Sequence, residues 1–125
     1  MEVQWFSKRC NEQVSIYETN ITLNTSAAAH FENSYKVIIG FDIKNFCLIL
    51  KSLNKEDAVS GAFNHYELHD ISIKPSYGRI NGKEIIKNIS KFCPLDFSQR
   101  SYYKYLSSWD ESSKSLIIQM KGVVE

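Results

Sequence analysis

The chain has 125 residues, of which 43% are hydrophobic and 13% aromatic, and its net charge at pH 7 is +1. These values predict one compact domain over residues 1–125 and exclude a strong overall attraction to nucleic acid or acidic membranes. No apolar run approaches the roughly 20 residues that span a bilayer, and the N-terminus lacks the pattern of a secretory signal. We therefore expect a cytoplasmic protein without a membrane partner.

The first part of the chain predicts strands followed by a short helix. Residues 2–7 are expected to form an edge strand, and residues 14–23 an extended segment whose apolar side chains are spaced by two. Asn24 suits the N-cap of a helix over residues 25–31, because its side chain can accept a hydrogen bond from a free amide of the first turn.

A hairpin and a single helical turn are predicted next. Residues 35–42 and 47–53 are rich in β-branched and aromatic side chains and are separated by four residues, which is typical of a β-hairpin. Asn54 is expected to open one helical turn with an acidic start, and Gly61 to end it.

The clearest helix is predicted over residues 82–92, after a strand over residues 68–74. Asn81 and Glu84 have the spacing of a capping box, in which each side chain accepts a hydrogen bond from a free amide at the helix start. The helix is expected to end before Pro94, because the residue that precedes a proline avoids the helical region.

Two segments of the chain resemble each other. Residues 35–50 align without a gap on residues 103–118, and Tyr, Lys, Asp, Leu and Ile recur at one shift. The second copy therefore predicts another hairpin, formed by strands over residues 102–109 and 113–121.

The repeat predicts an α+β fold in which two strand–helix–β-hairpin units are related by pseudo-twofold symmetry in one domain. The units are expected at about residues 14–53 and 71–121, with residues 54–70 as the connection. The core is expected at the periodic positions of these elements. The predicted core residues are Leu23, Val37, Ile39, Leu48, Leu50, Ile73, Ile85, Ile89, Leu106, Leu116 and Ile118.

Cysteine and histidine spacings give no metal or disulfide pattern. Cys10, Cys47 and Cys93 are odd in number and lack the CxxC spacing of a zinc site. His65 and His69 are four residues apart, as helical metal ligands are, but the extended pattern after them favours surface histidines. We predict no metal and no cofactor.

Catalytic motifs are absent from the sequence as well. Neither a GxSxG nucleophile elbow nor a glycine-rich phosphate loop occurs. Asp42 and Asp110 occupy equivalent places in the two copies, but each starts a predicted turn, where Asp bonds its own backbone. We predict that the protein is not an enzyme.

Positive charge is concentrated in the second half of the chain. Between residues 71 and 104, seven basic residues against two acidic ones give a charge of +5. Lys83, Lys87 and Lys91 recur every four residues and so share one helix face, with Arg79 just before them. Two interpretations remain open, a surface that binds phosphates and the solvated face of an amphipathic helix.

The segment Asn-Ile-Thr-Leu-Asn-Thr-Ser-Ala-Ala-Ala at residues 20–29, with the first hairpin, resembles the strand–helix–hairpin of the AbrB/SpoVT swapped-hairpin regulators. Residues 77–120 are similar to a second unit, as in the tandem MraZ arrangement. The chain also resembles small uncharacterised bacterial proteins with a Leu-Asn-Lys-Ala-Ala motif. The resemblance implies a bacterial DNA-binding regulator of the same fold.

The chain departs from the regulators at three positions of the first unit. Asn24 stands where they have proline, and Asn20 and Ala28 lie near places where they carry basic residues. The first unit therefore lacks the phosphate-contacting charge on which their DNA binding depends. The second unit keeps Arg79 and Lys83.

We therefore predict a nucleic-acid-binding transcriptional regulator that uses its basic second unit. Arg79, Lys83 and Lys87 are expected to contact phosphates, with Lys91 at the margin of the patch. The alternative is a non-enzymatic protein-interaction or assembly module, whose partner is another protein or a second copy of the chain. Salt separates the two functions, because phosphate contacts weaken steeply with ionic strength and apolar contacts change little.

Overall fold

The computed structural model describes residues 12–123, so the strand predicted over residues 2–7 lies outside the described residues. Within this range the chain forms eight strands and three helices. The strands are β1 (Gln13–Tyr17), β2 (Asn20–Asn24), β3 (Lys36–Asp42), β4 (Cys47–Leu53), β5 (Ser72–Ile73), β6 (Tyr77–Asn81), β7 (Tyr102–Asp110) and β8 (Ser115–Gln119). The helices are α1 (Thr25–Ala29), α2 (Lys55–Val59) and α3 (Lys83–Ser90).

All eight strands belong to one antiparallel sheet with the order β3-β4-β8-β7-β1-β2-β6-β5. The sheet curls into a half-barrel. Strands account for 41% of the described residues and helices for 16%. The predicted α+β fold of two strand–helix–hairpin repeats is therefore wrong. No helix in the described range is both long enough and apolar enough to cross a membrane.

The prediction failed because the proposed units do not stay separate. Residues 14–23 were expected as one extended segment, but Glu18 and Thr19 form a turn that splits it into the hairpin of β1 and β2. Strand β1 then pairs with β7 on its other side, from Gln13 opposite Leu106 to Tyr17 opposite Tyr102. Together with the β4–β8 and β2–β6 ladders, this pairing joins all the strands into one sheet.

Both predicted hairpins are confirmed, and their turns have the same geometry. Asp42 pairs with Cys47 in the first hairpin, and Asp110 pairs with Ser115 in the second. The residue before each second strand has a positive φ, 54° at Phe46 and 52° at Lys114. The internal similarity of the sequence is therefore preserved in the two hairpins.

The carboxylates of the two turn aspartates accept hydrogen bonds within their own turns. Asp42 accepts hydrogen bonds from the backbone and side-chain amides of Asn45, at 3.2 and 2.8 Å. Asp110 accepts one from the backbone amide of Ser112 at 3.2 Å and one from its hydroxyl at 2.8 Å. These hydrogen bonds hold the pKa of both carboxyl groups below the ordinary value.

The core lies on the inner face of the curled sheet, defined by the buried alternate residues of each strand. On β1 these are Val14 and Ile16, and the helices α1 and α3 contribute Ala28 and Ile89 to the same cluster. Helix α1 lies very close to β6: a Cβ placed on Gly78 would be 3.1 Å from the Cβ of Ala28. A side chain at this position would therefore require the helix to move by a few tenths of an ångström.

Most of the predicted core residues are buried, with three departures. Ile39 and Ile73 are only partly buried, and Leu106 is 48% exposed. Tyr105 occupies the buried position on β7 instead, with 1% exposure. The alternation of the strand explains this exchange, because Tyr105 pairs with buried Val14 and its neighbour must then face the other side.

Two of the three predicted helix starts are confirmed. The Asn24 side chain accepts a hydrogen bond from the amide of Ala27 at 3.1 Å, and Asn54 accepts one from Asp57 at 2.7 Å. The capping box before α3 is wrong, since the residue at the cap position is Gly82 and no side chain caps the helix there. Asn81 instead ends β6, where it pairs with Asn20.

The segment predicted as a strand over residues 68–74 connects the two edges of the sheet. His69 exchanges two backbone hydrogen bonds with Val37 of the edge strand β3, at 2.8 and 2.9 Å. Three residues later, Ser72 and Ile73 form the opposite edge strand β5. Since three residues span at most about 11 Å, the two edges lie close together.

Candidate nucleic-acid interface

The predicted lysine row lies on the exposed side of α3. Lys83, Lys87 and the C-cap residue Lys91 are exposed, while Ile85, Ile86 and Ile89 of the same helix are buried. The first two lysines line one surface depression together with Glu18 from the β1–β2 turn. Lys87 also lies 3.5 Å from the carboxylate of Glu84. Carboxylates therefore accompany the lysine row and reduce its positive potential.

Arg79 lies apart from these lysines. It stands on β6 between Gly78 and Ile80, which are both buried on the inner face. Because successive residues of a strand point to opposite sides, its side chain extends from the other side of the sheet. The structure thus brings Lys83 and Lys87 together and places Arg79 on a different surface.

That second surface, here called the outer face, is formed by the outward-pointing side chains of β6, β2, β1 and β7. The strand register aligns its residues in rows across the four strands, with Arg79 opposite Thr22, and Ser15 opposite both Thr22 and Lys104. The outer face consists of Tyr77, Arg79, Asn81, Asn20, Thr22, Gln13, Ser15, Tyr17, Tyr102, Lys104 and Leu106.

The outer face carries two cations and no acidic residue. Neither Arg79 nor Lys104 forms an ion pair within the part of the chain that the structure describes. The Nε atom of Arg79 is buried and has no hydrogen-bond partner among the described residues. Because the buried Nε is closed to a ligand, any contact to a phosphate oxygen comes from the terminal nitrogens of the guanidinium, which are not among the buried atoms without a partner.

Tyrosine rings lie beside both cations. The Arg79 guanidinium is 4.9 Å from the ring centre of Tyr77, and the Lys104 ammonium is 5.9 Å from that of Tyr102. Tyr17 packs against Tyr102 with 5.4 Å between ring centres. These side chains are half-buried. The rings are therefore held in place by their neighbours while part of each remains accessible to a ligand.

The contribution of β1 and β7 to this surface was missed by sequence reasoning. Tyr17 and Tyr102 are 85 positions apart in the sequence and meet only through the β1–β7 ladder. A usable signal was present in β1, where Gln13, Ser15 and Tyr17 alternate with the buried residues of the strand. The alternation predicts one polar face, although it does not identify the neighbouring strand.

A separate cleft of about 260 Å³ opens between β3, α3 and the segment before β5. It is lined by His65 and His69 and by two aromatic rings, Phe41 and Phe92, which stack with 4.9 Å between their centres. His69 lies 3.8 Å from the carboxylate of Glu67. Within residues 12–123 no group of three or more potential ligands could hold a metal ion.

The two described cysteines are packing residues. Cys47 and Cys93 are both buried, and burial raises the pKa of each thiol. A raised pKa keeps a thiol protonated near neutral pH and therefore poorly nucleophilic. Neither cysteine is positioned as a reactive group.

No family model matches the chain, and neither a curated protein nor a solved structure matches it. The resemblance to the swapped-hairpin regulators therefore stays a prediction.

Proposed function

We propose that the protein is a cytoplasmic bacterial regulator that binds nucleic acid through the outer face. The observation that carries the proposal is the row from Arg79 to Lys104, which has a cation at each end and no carboxylate among the outward-pointing side chains of these four strands. Both cations bind phosphate oxygens, and the Ser15 hydroxyl between them donates a further hydrogen bond, while the Thr22 hydroxyl already donates to Asn20 at 2.7 Å. Phosphate contacts of this kind carry no sequence information.

The lysines of α3 have a supporting role in this proposal. Lys83, Lys87 and Lys91 add positive charge that attracts a polyanion, but Glu18 and Glu84 lie beside them. An exposed cation next to a carboxylate releases less binding energy to a phosphate, because that carboxylate repels the ligand. We therefore assign the direct contacts to Arg79 and Lys104.

The test compares two double variants that remove the same charge from different surfaces. Arg79→Gln with Lys104→Gln changes the outer face, and Lys83→Gln with Lys87→Gln changes the helix. The wild-type protein and both variants are titrated at low salt into labelled mixed-sequence duplex and single-stranded DNA and RNA, and binding is followed by fluorescence anisotropy. We expect the outer-face variant to lose most of the affinity and the helix variant to lose less.

Two results would contradict the proposal. Absence of wild-type binding at low salt, where electrostatic attraction is screened least, removes nucleic acid as a ligand. A larger loss in the helix variant than in the outer-face variant moves the interface to α3. Urea unfolding of each variant serves as the control for folding.

A second candidate function is a protein-interaction or assembly module. The observation that favours it is the pair of exposed aromatic residues at the cleft, Tyr66 with 61% exposure and Phe92 with 43%. Exposed aromatic side chains are enriched at protein interfaces. Self-association measured by sedimentation across a range of salt tests this function, since an apolar interface persists at ionic strengths that abolish phosphate contacts.

A further inference from the structure

We infer that the ligand of the outer face is single-stranded nucleic acid, whose bases stack on Tyr102, Tyr17 and Tyr77. The inference rests on the proposed function and specifies its ligand class. Its first support is the spacing of rings and cations along the strands. On β6 the ring of Tyr77 and the cation of Arg79 are two residues apart, and on β7 the same spacing separates Tyr102 from Lys104.

Two residues along a strand are about 6.7 Å, and both side chains point to the same side of the sheet. Each of the two strands therefore presents a stacking surface beside a phosphate-binding group. A single strand of nucleic acid needs this combination, because each nucleotide has one base with a free π-face and one phosphate. In the inferred complex the base takes the place of the cation over the tyrosine ring, and the cation turns to the phosphate.

The shape of the surface favours the single strand over the duplex. Proteins read duplex DNA with an element that enters a groove, such as a helix or a two-stranded ribbon, and the major groove is about 12 Å wide. Arg79 is on β6 and Lys104 is on β7, and β2 and β1 lie between these strands. The two residues are therefore about 14 Å apart across the sheet, which is three inter-strand distances. Both side chains are half-buried, so only part of each is available to a ligand. Bases inside a duplex also have no free face to stack on the tyrosines.

The cation–ring contacts add a second physical argument. Tyr102 has Lys104 at 5.9 Å and Tyr17 at 5.4 Å, so its ring is flanked by a charge and by another ring. This packing restricts the ring before any ligand arrives, which lowers the entropy lost on binding. Asn81, exposed at the end of strand β6, offers an amide to base edges or to a ribose hydroxyl.

The experiment separates stacking from charge at one residue. The full-length chain is titrated with labelled single-stranded RNA, single-stranded DNA and duplex DNA of equal length and mixed sequence. Tyr102→Leu removes the aromatic face and keeps an apolar side chain, Tyr102→Phe keeps the face, and Tyr66→Leu applies the same change at an exposed ring away from the outer face. Dissociation constants are measured at several salt concentrations.

We expect the wild type to prefer both single strands to the duplex, and a preference for RNA over DNA then identifies a contact to the ribose hydroxyl. Tyr102→Leu should weaken single-strand binding roughly 5- to 150-fold, while Tyr102→Phe and Tyr66→Leu leave it within about twofold. The dependence of log affinity on log salt should stay unchanged in Tyr102→Leu, because no phosphate contact is lost.

Three outcomes would overturn the inference, and they differ in what they leave standing. Equal or tighter binding of the duplex, or wild-type affinity in Tyr102→Leu, refutes the single-stranded ligand and leaves nucleic-acid binding in place. A loss in Tyr102→Phe as large as that in Tyr102→Leu attributes the effect to the hydroxyl and also refutes stacking. Failure of the wild type to bind any of the three ligands refutes the inference and the proposed function together.

Discussion

Alkaline titration of the buried Tyr105 gives a quantitative test of the sheet register. Burial, with the neighbouring Cys93 thiol as a second cause, raises the pKa of its hydroxyl well above the ordinary value of 10.0. Above pH 10 the unfolded chain therefore releases a proton that the folded chain retains. The stabilisation that this hydroxyl provides is complete below pH 10. It is lost as the pH rises toward the pKa that the hydroxyl has in the folded protein.

The magnitude follows from linkage. A single group whose pKa is higher in the folded than in the unfolded chain lowers the free energy of unfolding by up to about 1.36 kcal/mol per pH unit above its unfolded pKa. For Tyr105 the loss amounts to about 1.4 kcal/mol by pH 11. Tyr105→Phe removes this dependence, and near neutral pH it costs roughly 0.5–1.5 kcal/mol for the lost hydrogen bond with Cys93. The variant should therefore be less stable than the wild type at pH 8, and the two should have similar stability near pH 11.

The assay is urea unfolding at fixed pH values from 8 to 11, compared as the difference between the two proteins. Cys47 and Cys93, whose pKa values burial also raises, lower the stability of both proteins in this range, and much of their contribution cancels in the difference. Tyr66→Phe reports what the same substitution does at an exposed ring. A constant difference between wild type and Tyr105→Phe from pH 8 to pH 11 would show that Tyr105 is not the buried residue of β7.

Three further predictions concern packing and charge. Ile89→Ala should lower the free energy of unfolding by about 2–5 kcal/mol, because the side chain is 3% exposed within the core; a much smaller loss in urea unfolding would contradict the assigned helix face. Gly78→Ala should destabilise by roughly 1–3 kcal/mol through its contact with Ala28, and wild-type thermal stability would contradict that close packing. Arg79→Gln with Lys104→Gln should reduce the slope of log affinity against log salt by about 1.4 for single strands, and an unchanged slope would exclude both as phosphate contacts.

Local features of the fold could be read from the sequence because they depend on neighbouring residues. The hairpins followed from two apolar runs separated by a four-residue turn, and the turn begins with Asp42 in one copy and Asp110 in the other. The caps at Asn24 and Asn54 followed from side-chain chemistry that acts over three residues. Each of these features is specified within a short segment.

The pairing of distant strands could not be read in the same way. Nothing in residues 13–17 identifies β7 as their neighbour, since antiparallel pairing specifies a spacing of side chains and not a partner. The internal repeat could have corrected the prediction that Leu106 is a core residue. The shift of 68 positions aligns Tyr105 with buried Val37, and Leu106 with Ile38, which is only half-buried.

Only part of the candidate site could be predicted from the sequence, because helical spacing is local and the pairing of distant strands is not. Lys83, Lys87 and Lys91 were correctly placed on one helix face, because helical spacing alone determines it. Arg79 precedes them closely in sequence, yet a strand residue next to a helix can point to either side of the sheet. Its position depends on which neighbours are buried, and those are Gly78 and Ile80.

The register that builds the core also builds the outer face. Val14 and Tyr105 are paired on the inner side, and the next pair along the same two strands, Ser15 and Lys104, points outward. A shift of one residue in this ladder would bury the ammonium group of Lys104 and expose the Tyr105 ring, at the cost of a desolvated charge and lost apolar burial. The burial of Tyr105 therefore stabilises the arrangement in which Lys104 and Arg79 lie in one row. Core substitutions that keep this register should leave ligand affinity unchanged, whereas outer-face substitutions should change affinity without changing stability.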